Sequence, residues 1–90
     1  MLERYVLVKN RLGLHARAAA RLVRAAGQFR CSVRLERADG SAAADAKSIL
    51  SVLLLAASRG TELVLRVEGE DEEAALCAVC ELFENGFGEE

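Results

Sequence analysis

Proline and tryptophan are absent from the 90 residues, and histidine, tyrosine and methionine occur once each. No proline-rich or low-complexity stretch is available to act as a linker, so residues 1–90 read as a single domain. One tyrosine, three phenylalanines and a net charge of −2 give no basic surface interleaved with aromatics, which argues against nucleic acid as a partner. No apolar run approaches the roughly 18 residues that cross a bilayer. The longest candidate, Ile49 to Ala57, is short and interrupted by Ser51, so no membrane insertion is expected. Glu3 and Arg4 interrupt the start as a secretion leader. Three cysteines are an odd number, and without a leader they read as reduced thiols in a cytoplasmic protein.

Catalytic and metal chemistry is equally bounded. There is no phosphate-cradling Walker loop and no pair of catalytic carboxylates. Cys77 and Cys80 have a C-x-x-C spacing, but only Cys31 and His15 remain to complete a site that ordinarily takes about four ligands. Both cysteines fall in mid-helix, away from the helix start that activates a redox thiol. They are expected to be packing thiols, with no metal and no cofactor.

What is present is unevenly charged. Residues 1–37 hold nine basic side chains against two acidic ones, whereas residues 61–90 hold ten acidic against Arg66 alone. The histidine lies in the basic part, which favours an acidic or phosphorylated protein partner.

Apolar periodicity gives the order β-α-β-β-α-β-α. Leu2 to Lys9 reads as a strand, and Asn10 to Gly13 as a turn. Ala16 to Ala26 reads as a helix with Ala16, Ala19, Ala20, Val23 and Ala26 on its apolar face, ended by Gly27. Cys31 to Glu36 alternates as a half-buried strand. Asp39-Gly40 marks a hairpin into a short strand over Ser41 to Ala44. Ser48 caps a second helix that carries Ile49, Leu50, Val52, Leu53 and Leu54, in a segment ended by Arg59-Gly60. Thr61 to Val67 alternates as the fourth strand. Asp71, Glu72 and Glu73 fill the first turn of a last helix with Ala75, Leu76, Val79, Leu82 and Phe83 inward, ended by Gly86 and Gly88. Helices on one face of a mainly antiparallel sheet follow from this order.

His15 is the one side chain with chemistry to offer. Imidazole is a nucleophile with an unperturbed pKa of about 6.5. Here it sits in Gly13-Leu14-His15-Ala16-Arg17, at the start of a helix whose unpaired N–H groups and positive dipole end suit an anion. Arg17 adds a cation within three residues. The combination suggests a phosphohistidine.

The same residues resemble a known family. Gly13-Leu14-His15-Ala16-Arg17 with Ala19-Ala20, then Ala46-Lys47-Ser48-Ile49-Leu50, then Gly60-Thr61, Gly69-Glu70-Asp71-Glu72 and Ala75-Leu76 follow in order across the chain. They are similar to the HPr family, the histidine-containing phosphocarriers of the bacterial phosphoenolpyruvate:sugar phosphotransferase system. The resemblance implies an α+β, open-faced β-sandwich, a four-stranded antiparallel sheet with three helices on one face. It implies a carrier, not an enzyme. His15 would accept a phosphoryl group from phosphorylated enzyme I, on Nδ1, and pass it to the A domains of enzyme II sugar permeases, with Arg17 assisting. Ser48 matches the serine that an HPr kinase/phosphorylase modifies in some bacteria.

The surrounding surface is expected to meet those partners: Arg21, Arg24 and Lys47 by charge, and Ile49, Leu50 and Leu53 by apolar contact. A monomer is expected. A second reading is a regulatory paralogue that acts by protein binding and not in sugar uptake, although such a protein needs neither His15 nor Arg17. One departure concerns Ala18, which stands where the family usually has proline. Proline is pre-organised for a helix's first turn, so its loss softens that turn by a few tenths to roughly 1 kcal/mol. The hairpin near Asp39 to Ala43 also reads as slightly longer than usual.

Overall fold

In a computed structural model describing residues 1–89, four antiparallel strands stand in the order β1-β4-β2-β3. They are β1 (Leu2–Leu7), β2 (Ser32–Arg37), β3 (Ala43–Asp45) and β4 (Glu62–Glu68). The helices are α1 (Ala16–Ala26), α2 (Ile49–Leu54) and α3 (Glu72–Glu84), followed by a 3₁₀ turn, Gly86–Gly88. This is the expected α+β open-faced sandwich.

Alternation places the core. In β4, Leu63, Leu65 and Val67 are buried beneath the helices, and their cross-strand partners in register are Val6, Arg4 and Leu2 on β1 and Arg37, Leu35 and Val33 on β2. The opposite face carries Tyr5 and Val64 as a cross-strand pair, and Arg66, whose guanidinium bridges Glu3 of β1 and Glu36 of β2. Those two carboxylates hold the Arg66 cation above its ordinary range. Val64 falls on the outer face of the alternation, yet it is buried too, because the sheet's open face still shelters its central strand.

The helix readings need three corrections. The buried stripe of α1 is Ala18, Ala19, Leu22 and Ala26; Ala16 is exposed, while Ala20 and Val23 are only half-buried. Six alanines among eleven residues leave a helix's orientation open to local pattern, and the larger Leu22 side chain takes the core. Second, α2 ends at Leu54, well before Arg59, and Ala56 just beyond takes a left-handed φ of 51°. Third, Asp71 stands outside α3. Its carboxylate accepts the N–H groups of Arg30 and Cys31, each at 2.9 Å, and these bonds, Arg30's first, hold it below the ordinary carboxyl range. That pins the start of α3 to the start of β2. Strand limits differ from the reading by one or two residues, because cross-strand pairing sets them.

Beyond α3 the chain does not simply stop. Phe87 is buried, and its ring meets that of Phe83 edge-on with centroids 5.0 Å apart. The turn therefore folds the C-terminal segment back across the molecule towards the start of α1.

Candidate functional site

The loop between β1 and α1 is built to present one side chain. Asn10 is buried, and its Nδ2 donates to the carbonyl of Gly13 at 2.6 Å, closing the turn. Gly13 adopts φ +68°, a left-handed conformation that costs other residues energy. A Cβ there would lie 2.5 Å from the carbonyl oxygen of Ala57. Leu14 is buried and its N–H donates to that same oxygen at 2.9 Å. With Leu14 anchored inward, His15 emerges at the N-cap of α1 with extended backbone. Its carbonyl accepts Ala19 N–H at 2.8 Å, and its Nδ1 accepts Arg17 N–H over a long 3.4 Å. The ring thus stands over the first N–H groups of α1, where an anion is favoured. Arg17 is largely exposed, with its guanidinium open to solvent on most of its surface.

On its other edge the ring meets a residue from the far end of the chain. His15 Nε2 lies 2.9 and 3.0 Å from the two carboxylate oxygens of Glu89. Glu89 is also reached by Asn10 Nδ2 at 3.1 Å and by Arg17 Nη1 at 3.9 Å. The His15 hydrogen bond, then that of Asn10, hold its carboxyl below the ordinary range against the opposing effect of burial. Arg11, Leu12, Arg17 and Glu89 line a shallow cleft beside the ring.

α2 borders α1. Ser48 caps it, its Oγ accepting Ser51 N–H at 3.3 Å. Ile49, Leu50, Leu53 and Leu54 are exposed on this six-residue helix, and Leu12 is exposed beside His15. Only Val52 of α2 is buried, since one short helix cannot turn its whole circumference to a thin core.

A family model described as the PTS HPr component phosphorylation site matches residues 2–85. The chain belongs to the PTS HPr family. It is 48% identical to the phosphocarrier protein HPr of Xylella fastidiosa (strain 9a5c) over 90 residues, covering 100% of this chain and 99% of that one. The solved structure of HPr-C-His from Thermoanaerobacter tengcongensis is similar with a TM-score of 0.93 and 40% identity, covering 100% and 99% of the two chains. An HPr dimer from the same organism is similar with a TM-score of 0.77 and 39% identity, covering 99% and 100%. The chain is thus an HPr phosphocarrier of the phosphotransferase system, a carrier and not an enzyme.

Family membership makes the remaining placements informative. Ala18 is fully buried against the core, so the position usually held by proline is a packing position here. Arg21 donates to the carbonyl of Phe87, and Arg24 stands exposed a turn further on. Lys47 sends its Nζ to the carbonyl of Phe29 at 2.7 Å, which ties the end of α1 to the start of α2. Cys77 is exposed and Cys80 buried on α3, away from these residues, and burial pushes the Cys80 thiol upward. Among the described residues no cluster of His, Cys, Asp and Glu forms a metal site, and no helix is long and apolar enough to cross a membrane.

Glu89 is the site residue that sequence reasoning missed. A signal existed. A lone phenylalanine between glycines, Gly86-Phe87-Gly88, followed by acids, is an apolar anchor with a charged end.

Proposed function

We propose that His15 is the residue that carries the phosphoryl group, accepting it on Nδ1 from phosphorylated enzyme I and handing it to the A domains of enzyme II permeases. The observation that carries this is the ring's position at the N-cap of α1 beside the exposed Arg17. Nδ1 faces the helix N–H groups, and those groups suit phosphoryl oxygens. A carrier must release its cargo, and a half-open site with few donors and one largely exposed arginine suits that need. This reading treats residues 1–90 as one monomeric carrier domain working in the cytoplasm. The direct test supplies enzyme I and labelled phosphoenolpyruvate. One acid-labile, alkali-stable phosphoryl group per chain is expected, as for a phosphoramidate; a chain that takes up none overturns the reading.

Arg17 is proposed to neutralise the phosphoryl oxygens during transfer. Arg17→Ala is expected to melt within a few degrees of the parent, since an exposed arginine contributes little to stability, and to transfer phosphate on the order of a hundredfold more slowly. Transfer rates within twofold of the parent reduce Arg17 to a solvating residue.

Ser48 is proposed as the regulatory phosphorylation site for an HPr kinase/phosphorylase. A phosphate there would place negative charge beside Ile49, Leu50 and Leu53, the exposed apolar side chains proposed for docking, where it opposes acidic groups that a partner presents to Arg21, Arg24 and Lys47. Ser48→Asp is expected to keep the fold, because aspartate also caps helices, while slowing phosphoryl uptake from enzyme I several-fold. Ser48→Ala is the comparison, since it loses the bond to Ser51 N–H without adding charge. Equal uptake by the two variants leaves Ser48 only a cap.

A further inference from the structure

We propose that Glu89 is a positioning residue for phosphoryl transfer: its carboxylate keeps the proton on Nε2 of His15, leaves the Nδ1 lone pair as nucleophile, and balances the charge that the phosphorylated ring acquires. The inference rests on the reading of His15 as phosphoryl acceptor.

Two contacts on opposite edges of the ring agree on one arrangement of protons. A carboxylate only accepts hydrogen bonds, so Nε2, 2.9 and 3.0 Å from its oxygens, carries the hydrogen and donates. A backbone N–H only donates, so Nδ1, facing that of Arg17, presents its lone pair. The second bond is long at 3.4 Å and therefore easily surrendered to an incoming phosphoryl group.

Several anchors hold the carboxylate there. Phe87 is wedged against Phe83 in the core, and its carbonyl is held by Arg21. Glu89 N–H donates to Gly86 O at 3.0 Å, which shapes the turn. Asn10 Nδ2 bridges the Glu89 carboxylate and the carbonyl of Gly13, joining the C-terminal segment to the loop that presents His15. The Glu89 side chain is only 14% exposed, so its interaction with the ring is less screened than a surface pair. A histidine oriented through its second nitrogen by a carboxylate is a recurrent way of fixing which nitrogen reacts.

The transfer step balances without moving that proton. The Nδ1 lone pair of His15 attacks the phosphorus of the donor's phosphohistidine. A new P–Nδ1 bond forms, and the donor's P–N bond breaks with its electron pair returning to the donor ring. Nε2 keeps its hydrogen, so the His15 ring gains positive charge next to Glu89. Onward transfer reverses these changes and leaves the proton in place. One fixed carboxylate therefore serves both directions, as a carrier requires.

The test uses the full chain with Glu89→Ala, Glu89→Gln and Glu89→Asp. Two quantities are read for each, the His15 Nε2–H proton resonance and the rate of phosphoryl uptake from enzyme I with phosphoenolpyruvate. The parent is expected to show a slowly exchanging, downfield Nε2–H signal. Glu89→Ala should lose that signal and take up phosphate about tenfold more slowly, the effect typical of losing a ring-orienting partner. Glu89→Gln should recover the protected signal without the rate, because it accepts a hydrogen bond but carries no charge. Glu89→Asp should recover part of both. An Nε2–H signal unchanged in Glu89→Ala, or uptake within twofold of the parent, overturns the inference. Failure of the parent itself to be phosphorylated overturns the His15 reading instead, so the two failures are distinguishable.

Discussion

His15→Ala is expected to take up no phosphoryl group from phosphorylated enzyme I, while keeping the fold. His15 is the only histidine, and its ring stands at the N-cap of α1. Alanine removes the nitrogen that would form the bond, so the loss is complete and not graded. The structural cost is small. The ring caps α1 only through a long bond to Arg17 N–H, which puts the penalty at the low end of the capping range, about 0.5–1 kcal/mol. Leu14, whose burial and bond to Ala57 hold the loop, is untouched. Glu89 loses the partner that contributes most to depressing its carboxyl, which then moves back towards the ordinary range. Unfolding curves and phosphoryl uptake measured on one preparation separate the two effects. Acid-labile phosphate on the alanine variant would place the acceptor elsewhere.

Gly13→Ala is expected to be the most destabilising single methyl addition near the site. Two costs combine. The φ of +68° costs an alanine about 1–2 kcal/mol. The new Cβ would also lie 2.5 Å from Ala57 O and 2.9 Å from Ser58 Cα, both backbone atoms that cannot turn aside. Relief requires the β1–α1 loop to move away and break the Leu14–Ala57 hydrogen bond, at a further cost of about 1–3 kcal/mol. A loss of about 3 kcal/mol corresponds to about 12–24 °C in Tm for a domain of this size. Phosphoryl uptake should fall as well, because the displaced loop carries His15. Gly60→Ala is the control: φ is +90°, but nothing lies within 4 Å of its Cβ, so only the conformational cost remains. A Gly13→Ala variant that melts no lower than Gly60→Ala would show that the loop yields freely.

Much of the fold is legible because it rests on local rules. Alternation over Leu63, Leu65 and Val67 finds β4 and its inner face. The Asn10-to-Gly13 turn needs a left-handed residue, which the sequence supplies as glycine. Ser48 is an effective capping residue immediately before an apolar segment. The orientation of α1 is not legible, because alanines at 16, 18, 19, 20, 25 and 26 satisfy two overlapping stripes equally well. Packing chose the stripe containing Leu22, the side chain with most surface to hide. The end of α2 is also illegible, since Leu53, Leu54 and Leu55 are equally apolar and only Leu55 is buried.

The element order, the histidine at a helix start, the arginine two residues on and the family motifs are all legible in the linear chain. Such features depend on residues within a few positions of one another, where backbone geometry and side-chain type leave few choices. What stands on the other side of the imidazole is set by long-range packing. Glu89 is 74 residues from His15. It arrives there because α3 packs on β1 and β4, Phe87 is buried against Phe83, and the turn at Gly86–Gly88 carries the next residue to the ring. A contact of that kind depends on how helices pack on a sheet, and local pattern carries no record of it.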